Sequence, residues 1–540
     1  MAWTSSPAAA RIAVSDTART YVQARAAAMN RNHARAAELL ATLAENQPGQ
    51  VEIARKALGE AIGAGQMELA LNLTRTVPAA SLPSDARLLL SAAEIRRNRP
   101  ERAITWLNTK GEIGDLSFLS PLVTAWAAAD RNRFDQALST LDAMGTTSLL
   151  GPMVTEERAF ILLKARRAAE AEPLVRQVVG NAGSREQRLR LAFADGFLAA
   201  GDRQRALMIV EGMGAGEAAA RQRIQSGKSS GQAIDSLPKA FGEVLTAFAA
   251  DLTRLQRGTP PIGLVQVARF ANPQSSSAAT LLALLLAGQD RTEEALAVLR
   301  TVPANDALMS QVRDVQTRIL SDDKRLNEAY QVAASATASS SADATDFSRL
   351  GDVLQSMKRH PQAADAYGRA VTIARASKQD SLLWTLLLLR ASALEDANRW
   401  PEARTALQQG LAIAPEQPLL LNFMGYAQLE RGENLDAAEA MIRKASELAP
   451  DDASITDSLG WAQYKRGKVG EAIVTLQKAA EKDPDQAEIQ EHLGDALYIS
   501  GRRYEARFAW NAALVTAEDD IATRVKAKLA GGRTPANAAP

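Results

Sequence analysis

Apolar and small residues along 455–484 fall into two short periodic runs with a polar break between them. Leu459 and Gly460 close the first run, Ala472, Leu476 and Ala479 form the second, Gly467 lies between and Pro484 follows. That spacing predicts two helices joined at a turn served by Gly467. The arrangement returns one unit later in Leu493-Gly494, Gly501, Ala506, Trp510 and Ala513, and one unit earlier in Met424-Gly425, Gly432, Ala438, Ile442, Ala445 and Pro450. Further upstream come Leu350-Gly351, Ala363, Tyr367 and Ala370, then Arg390-Ala391, Ala403, Leu407, Gly410 and Pro415.

The alanine that opens each second helix recurs at Ala36, Ala70, Ala103, Ala137, Ala171 and Ala206, and again at Ala295, Ala329, Ala363, Ala403, Ala438, Ala472 and Ala506. Most steps are 33 to 35 residues; the step from Ala363 to Ala403 is 40, with the surplus around "ARASKQDS". Twelve residues before most of these alanines sits a small residue: Ala24, Ser91, Ala125, Ala159, Ala194, Ala283, Thr317, Gly351, Ala391, Gly460 and Gly494, with Gly425 thirteen before Ala438. Leu58 departs from the rule. A small pair at this spacing lets two helices approach closely, and a bulky residue there would overpack the contact by about 1–3 kcal/mol. A fixed period of this length is the mark of a helical repeat array.

The 89 residues from Ala206 to Ala295 lack the landmark. "GAGEAAARQRIQSGKSSGQAIDS" is rich in Gly and polar residues and reads as an irregular or mobile insertion. After it, Phe241, Val244, Leu245 and Phe248 lie at helical spacing, and Pro260-Pro261 opens a second helix, "IGLVQVARFA". Counted as one degenerate unit, this brings the total to about fourteen helix pairs. At the end, Ile521, Val525 and Leu529 form one apolar stripe on a charged helix, which suits a cap whose other face meets water. "GGRTPANAAP" reads as a disordered tail.

Composition narrows the chemistry. The 540 residues are 46% apolar and 23% charged, only 5% aromatic, and carry 63 basic against 62 acidic groups for a net charge of +1. That is a folded, soluble, helix-favouring composition without the electrostatic footprint of a nucleic-acid binder. With no cysteine, disulfides, thiolate catalysis and Cys-ligated metals are excluded. The longest apolar runs, Leu382–Leu389 and Ala279–Ala287, are shorter than the roughly 20 residues a membrane-spanning helix needs. Ala8-Ala9-Ala10 after Ser6-Pro7 is either a frayed terminus or the remnant of a secretory signal whose basic and apolar parts are missing. "SGKSSG" (Ser226–Gly231) lacks the P-loop glycine, since Gln222 stands in its place, so a linker is expected there. His33, His360 and His492 fall in the first, tenth and fourteenth units, too far apart to share a metal or a nucleophile. No catalytic, cofactor or metal site is expected. His492 with Asp495 on one helix lacks a third partner.

The motifs "NFMGY", "RGENLDAAEAMI", "DSLGWAQYKRG", "HLGDALY" and "GRRYEARFAW", over about 100 residues, make the C-terminal third resemble the long tetratricopeptide-repeat (TPR) proteins of Gram-negative bacteria. These include an outer-membrane TPR lipoprotein that acts as adaptor for a periplasmic carboxy-terminal processing protease. The resemblance implies an all-α TPR-type α-solenoid, a right-handed superhelix of about fourteen helix–turn–helix units ending in a C-terminal capping helix. On that reading residues 1–16 are a tail and 17–213 a degenerate array. Residues 214–237 are the insertion, 238–343 central degenerate units and 344–516 a well-formed array. Residues 517–530 are the cap and 531–540 the disordered end.

The resemblance also implies a non-enzymatic adaptor with protein or peptide partners, a processing protease and its substrates among them, and a periplasmic location. The lipidated cysteine of that family is absent from this sequence. A cytoplasmic assembly or regulatory protein is the alternative, and the oligomeric state stays open. In TPR arrays first helices line the concave face. Laying that pattern on this chain marks Asn422, Phe423 and Tyr426, then Asp457, Trp461 and Tyr464, then Glu491, His492, Asp495 and Tyr498 as the partner groove. Recurrent aromatics suit a peptide groove, or else pack between neighbouring helices. The lysine that a carboxylate-gripping TPR subclass needs is absent: Ser348, Leu388, Asn422, Asp457 and Glu491 occupy the corresponding positions.

Overall fold

The computed structural model describes residues 16–539 apart from Pro48, 111–113, 146–148, 215, 256–258, 340–341 and 378. The possible signal remnant at 1–15 therefore lies outside the described residues. All regular elements among the described residues are helical. They form fourteen antiparallel pairs, from Asp16–Met29 with His33–Asn46 to Ala487–Ile499 with Arg503–Thr516. The helices Glu217–Gln225 and Asp519–Gly531 stand outside the pairing.

The small-residue code is what closes these pairs. All thirteen landmark alanines, from Ala36 to Ala506, are fully buried. Where glycine stands opposite them there is no room for even one more carbon. A Cβ on Gly460 would stand 2.6 Å from Leu476 Cγ, and one on Gly494 would stand 2.3 Å from Trp510 Cδ1. Leu58, the departure from the rule, is equally buried. At the turn, Gly467 adopts φ +77 with open space around it, so its glycine serves backbone conformation and not packing.

The chain divides into two compact units, Met1–Ala342 and Asp343–Pro540. In the first, the region without landmarks folds back across the inner helices. Glu217–Gln225 is a short helix, and the irregular stretch after it is held by side chains of the array. Asp195 accepts from the backbone N–H of Ser230 at 2.6 Å and of Gln232 at 2.8 Å. Arg188 donates to the Gln232 carbonyl at 2.9 Å, Lys164 to the Asp235 carbonyl at 2.6 Å, and Asp130 accepts from the Leu237 N–H at 3.0 Å. The segment read from sequence as an irregular insertion is thus a strap, fixed by polar residues that lie far from it in sequence. Within "SGKSSG" the Ser230 amide is taken by the Asp195 carboxylate, and the Gly227 and Lys228 amides by carbonyls of the preceding helix, so these three are not free to cradle a phosphate.

The helix Leu237–Arg254 continues this path over Ser84–Arg96 and Ser120–Asp130, and Ile262–Ala271 packs on Val51–Gly63 and Ser84–Arg96. Phe241 is fully buried, and Phe248 meets Phe118 edge-on at 5.9 Å. A buried polar network anchors the crossing helix. Glu243 pairs with Arg185 and Arg188, each at 3.1 Å, and Arg185 also reaches Glu156 at 2.7 Å. Beside them Trp126 donates to Glu157 at 2.6 Å. Burial and the neighbouring Glu156 push the Glu157 carboxyl well above its ordinary range. The inner face of this unit is filled by its own chain.

The second unit ends in the Asp519–Gly531 helix, close to the predicted cap, with Val525 fully buried. Two expectations need correction here. The polar face of this helix does not simply meet water, because Lys528 on it is fully buried. Of the segment 531–540, expected to be disordered, the described residues pack down: the Ala539 N–H donates to Asp495 at 3.1 Å, and Gly532 lies against the Tyr498 hydroxyl.

Candidate partner-binding groove

Three first helices, Pro418–Glu430, Ala453–Lys465 and Ala487–Ile499, pack side by side in the second unit. The TPR pattern marks ten residues of these helices as the groove, yet the structure divides them into three groups.

Asn422, Phe423, Tyr426 and Asp457 converge on an open pocket of about 280 Å³, joined by Ser454, Ser458, Gln486 and Glu488. Asn422, Phe423 and Tyr426 are half-buried, while the Asp457 residue is only 6% exposed. One Asp457 oxygen pairs with His492 Nδ1 at 2.8 Å. The other, and the amide oxygen of Asn422, are buried and have no hydrogen-bond partner among the described residues. Burial, reinforced by Glu430, Glu488 and Asp457, pushes the Tyr426 phenol well above its ordinary range, so it stays a neutral donor.

Trp461 and Tyr464 make up the second group. Trp461 is fully buried and stacks on His492 at 4.1 Å and on Tyr464 at 4.7 Å. It is core packing between first helices and offers no surface to a partner. Tyr464 is half-buried, with Arg533 5.6 Å from its ring centre.

Glu491, His492, Asp495 and Tyr498 are not open groove residues. The first three are fully buried, the two carboxylates beneath the C-terminal helix and tail. Glu491 takes Arg524 at 2.7 Å and Lys528 at 2.6 Å. Asp495 takes Lys528 at 2.7 Å, Arg533 at 3.1 Å and the Trp510 indole N–H at 3.1 Å. Tyr498 packs on Trp510 at 5.4 Å. The cause is charge complementarity: a basic C-terminal segment neutralises two buried acids. Burial lowers the His492 pKa, but Asp457 and the nearby Glu488 and Glu491 outweigh it and leave the ring above its ordinary value.

Sequence reasoning missed Ser454, Gln486 and Glu488. Ser454 lies three residues before Asp457 and Glu488 four before His492, so helical spacing alone could have placed both near the marked face. Among the described residues no cluster of three or more potential metal ligands occurs, and no helix is long and apolar enough to cross a membrane.

Tetratricopeptide-repeat family models match residues 388–453 and 460–501. Among solved structures, similarity extends to the Cut9–Hcn1 hetero-tetramer of the APC/C, at 14% identity over 96% of this chain and 97% of that one, TM-score 0.38. A tetratricopeptide repeat protein from Parabacteroides merdae has 14% identity over 54% and 97%, TM-score 0.38. Yeast Tom70 has 13% identity over 95% of both chains, TM-score 0.32. None of the curated proteins matches the sequence. With the matched repeats seated in the second unit, and the same paired-helix code running through both units, the chain is an all-α repeat protein of TPR-solenoid type.

Proposed function

We propose that this chain is a non-enzymatic scaffold that holds partner polypeptides on the inner face of its second unit. The observation that carries this reading is the pocket at Asn422, Phe423, Tyr426 and Asp457. It is open, it joins two aromatic rings to buried acceptors, and none of its lining residues belongs to the C-terminal segment. Repeats of this type generally serve as protein-interaction surfaces, and exposed aromatic rings supply large contact area at low entropy cost. On the resemblance of the C-terminal third, the partner is a carboxy-terminal processing protease with its substrates, in a periplasm.

Affinity capture from the native organism with the wild-type chain and the Tyr426→Ala variant tests this. A set of partners retained by the first and lost by the second is expected. A processing protease within that set supports the adaptor reading. Only cytosolic proteins within it would replace the periplasmic location by the cytoplasmic one. A set indifferent to Tyr426→Ala would move the binding surface elsewhere.

A further inference from the structure

Carboxylates on the shared face of the second unit already hold cationic side chains of the same polypeptide. Glu491 and Asp495 take Arg524, Lys528 and Arg533, as a ligand would be taken. The pocket one repeat earlier holds a third carboxylate, Asp457, which His492 engages through one oxygen only. Asp457 is more than nine-tenths buried and lines the pocket, and its free oxygen has no partner among the described residues. The buried Asn422 oxygen lines the same cavity in the same state. Exposed Glu488 adds a negative charge at the rim, and Phe423 and Tyr426 supply aromatic surface.

Two acceptors lacking donors, set with an acid and aromatic rings, call for a donor that is planar, multiply N–H bearing and positive. Guanidinium meets that description, because its fork donates to two acceptors at once while its face stacks on an aromatic ring. Ammonium brings charge but neither the fork nor the face. Given the partner groove proposed above, on which this assignment rests, we propose that the pocket between Asn422, Tyr426 and Asp457 receives an arginine side chain of an extended partner segment.

The test uses the full chain and a phage-displayed library of random peptides of about twelve residues, followed by the selected peptide made synthetically. Selected peptides that share an arginine at one position are expected, with binding lost in Tyr426→Ala. In the synthetic peptide, lysine at that position weakens binding about 10-fold and neutral citrulline about 100-fold, the scale of a charge-assisted bidentate contact. Asp457→Asn removes the arginine preference. Because that variant also touches His492, the exposed Glu488→Gln serves as a second probe and lowers affinity about threefold at low salt, in keeping with a rim charge. Peptides that need Tyr426 yet carry no shared arginine, or tolerate citrulline, overturn the arginine assignment and leave the groove standing. Peptides indifferent to Tyr426→Ala, or no selection at all, overturn both.

Discussion

Lys528→Met tests the most consequential contact of the C-terminal segment. Lys528, Glu491 and Asp495 are each fully buried, and the ammonium sits 2.6 Å from one carboxylate and 2.7 Å from the other. Methionine keeps the stem's packing and removes the charge, so two buried acids lose a shared counter-ion. Removing one partner of a buried ion pair costs about 3–5 kcal/mol. Arg524 stays on Glu491 and Arg533 on Asp495, which holds the expected loss near the lower end, about 3 kcal/mol. A repeat array opens locally, so the suitable readout is hydrogen exchange of the Ala487–Ile499 and Asp519–Gly531 helices. A loss of about 3 kcal/mol appears as roughly 100-fold faster exchange. The pH dependence adds a second check. Burial raises the Glu491 pKa, but the bonds from Arg524 and Lys528 outweigh it and hold the carboxyl below its ordinary 4.5. Its contribution is therefore full above about that value and fades as pH falls through the lower, folded one. The gap between wild type and variant should shrink in acid. Exchange accelerated less than about fivefold near pH 7, or a gap that widens in acid, would refute the claim that these charges hold the segment down.

Three further outcomes follow from particular contacts. Gly494→Ala drives a methyl into the Trp510 ring and should cost about 1–3 kcal/mol in thermal unfolding; Gly470→Ala, with nothing within 4 Å, should be neutral or slightly stabilising, and equal losses at both sites would sink the close-approach explanation. Trp461→Ala should cost about 3–5 kcal/mol and loosen the last repeats, as truncation of a buried indole does; a variant with unchanged melting and weakened partner capture would restore Trp461 to the groove. Glu157→Gln keeps an acceptor for the Trp126 N–H and removes an acid whose folded pKa is raised, so the stability that acid contributes is full below its ordinary 4.5 and lost as pH rises through the folded value; the variant should match wild type near pH 4 and gain on it toward pH 8, read from melts at both, and a variant less stable at pH 8 would contradict the assignment.

The repeat was legible because helix-to-helix contact leaves a local trace. A small residue and an alanine about twelve apart are a packing device that most of these repeats carry within themselves, so Gly460 with Ala472 could be read without a structure. The apolar half of the cap was legible for the same reason, from Ile521, Val525 and Leu529. Its polar half was not. Lys528 looks like any surface lysine until Glu491, 37 residues earlier, is brought to 2.6 Å. The strap hid in the same way: "SGKSSG" has linker composition, and what orders it is Asp195, on another helix. Trp461 was misplaced because helical phase alone does not distinguish a ring facing a groove from one lying between two first helices. His492 and Tyr464, its stacking partners, settle that.

Each unit uses its own chain to satisfy the polar residues of its inner helices, and this bears on where a partner can act. In the first unit Asp130, Lys164, Arg188 and Asp195 all bond to the strap or to the start of the helix that follows it, and Glu243 of that helix closes the network with Arg185. A partner there would have to displace a helix with Phe241 fully buried. In the second unit Glu491 and Asp495 are satisfied by the C-terminal segment. Buried polar groups left without partners are costly, and folded chains keep few of them. Beneath the C-terminal segment, Glu491 and Asp495 each hold two cationic side chains. At Asn422 and Asp457 the inner face is uncovered and buried acceptors remain. The difference between these neighbouring stretches is what directs the search for a partner to the pocket around Tyr426, and not to the array as a whole.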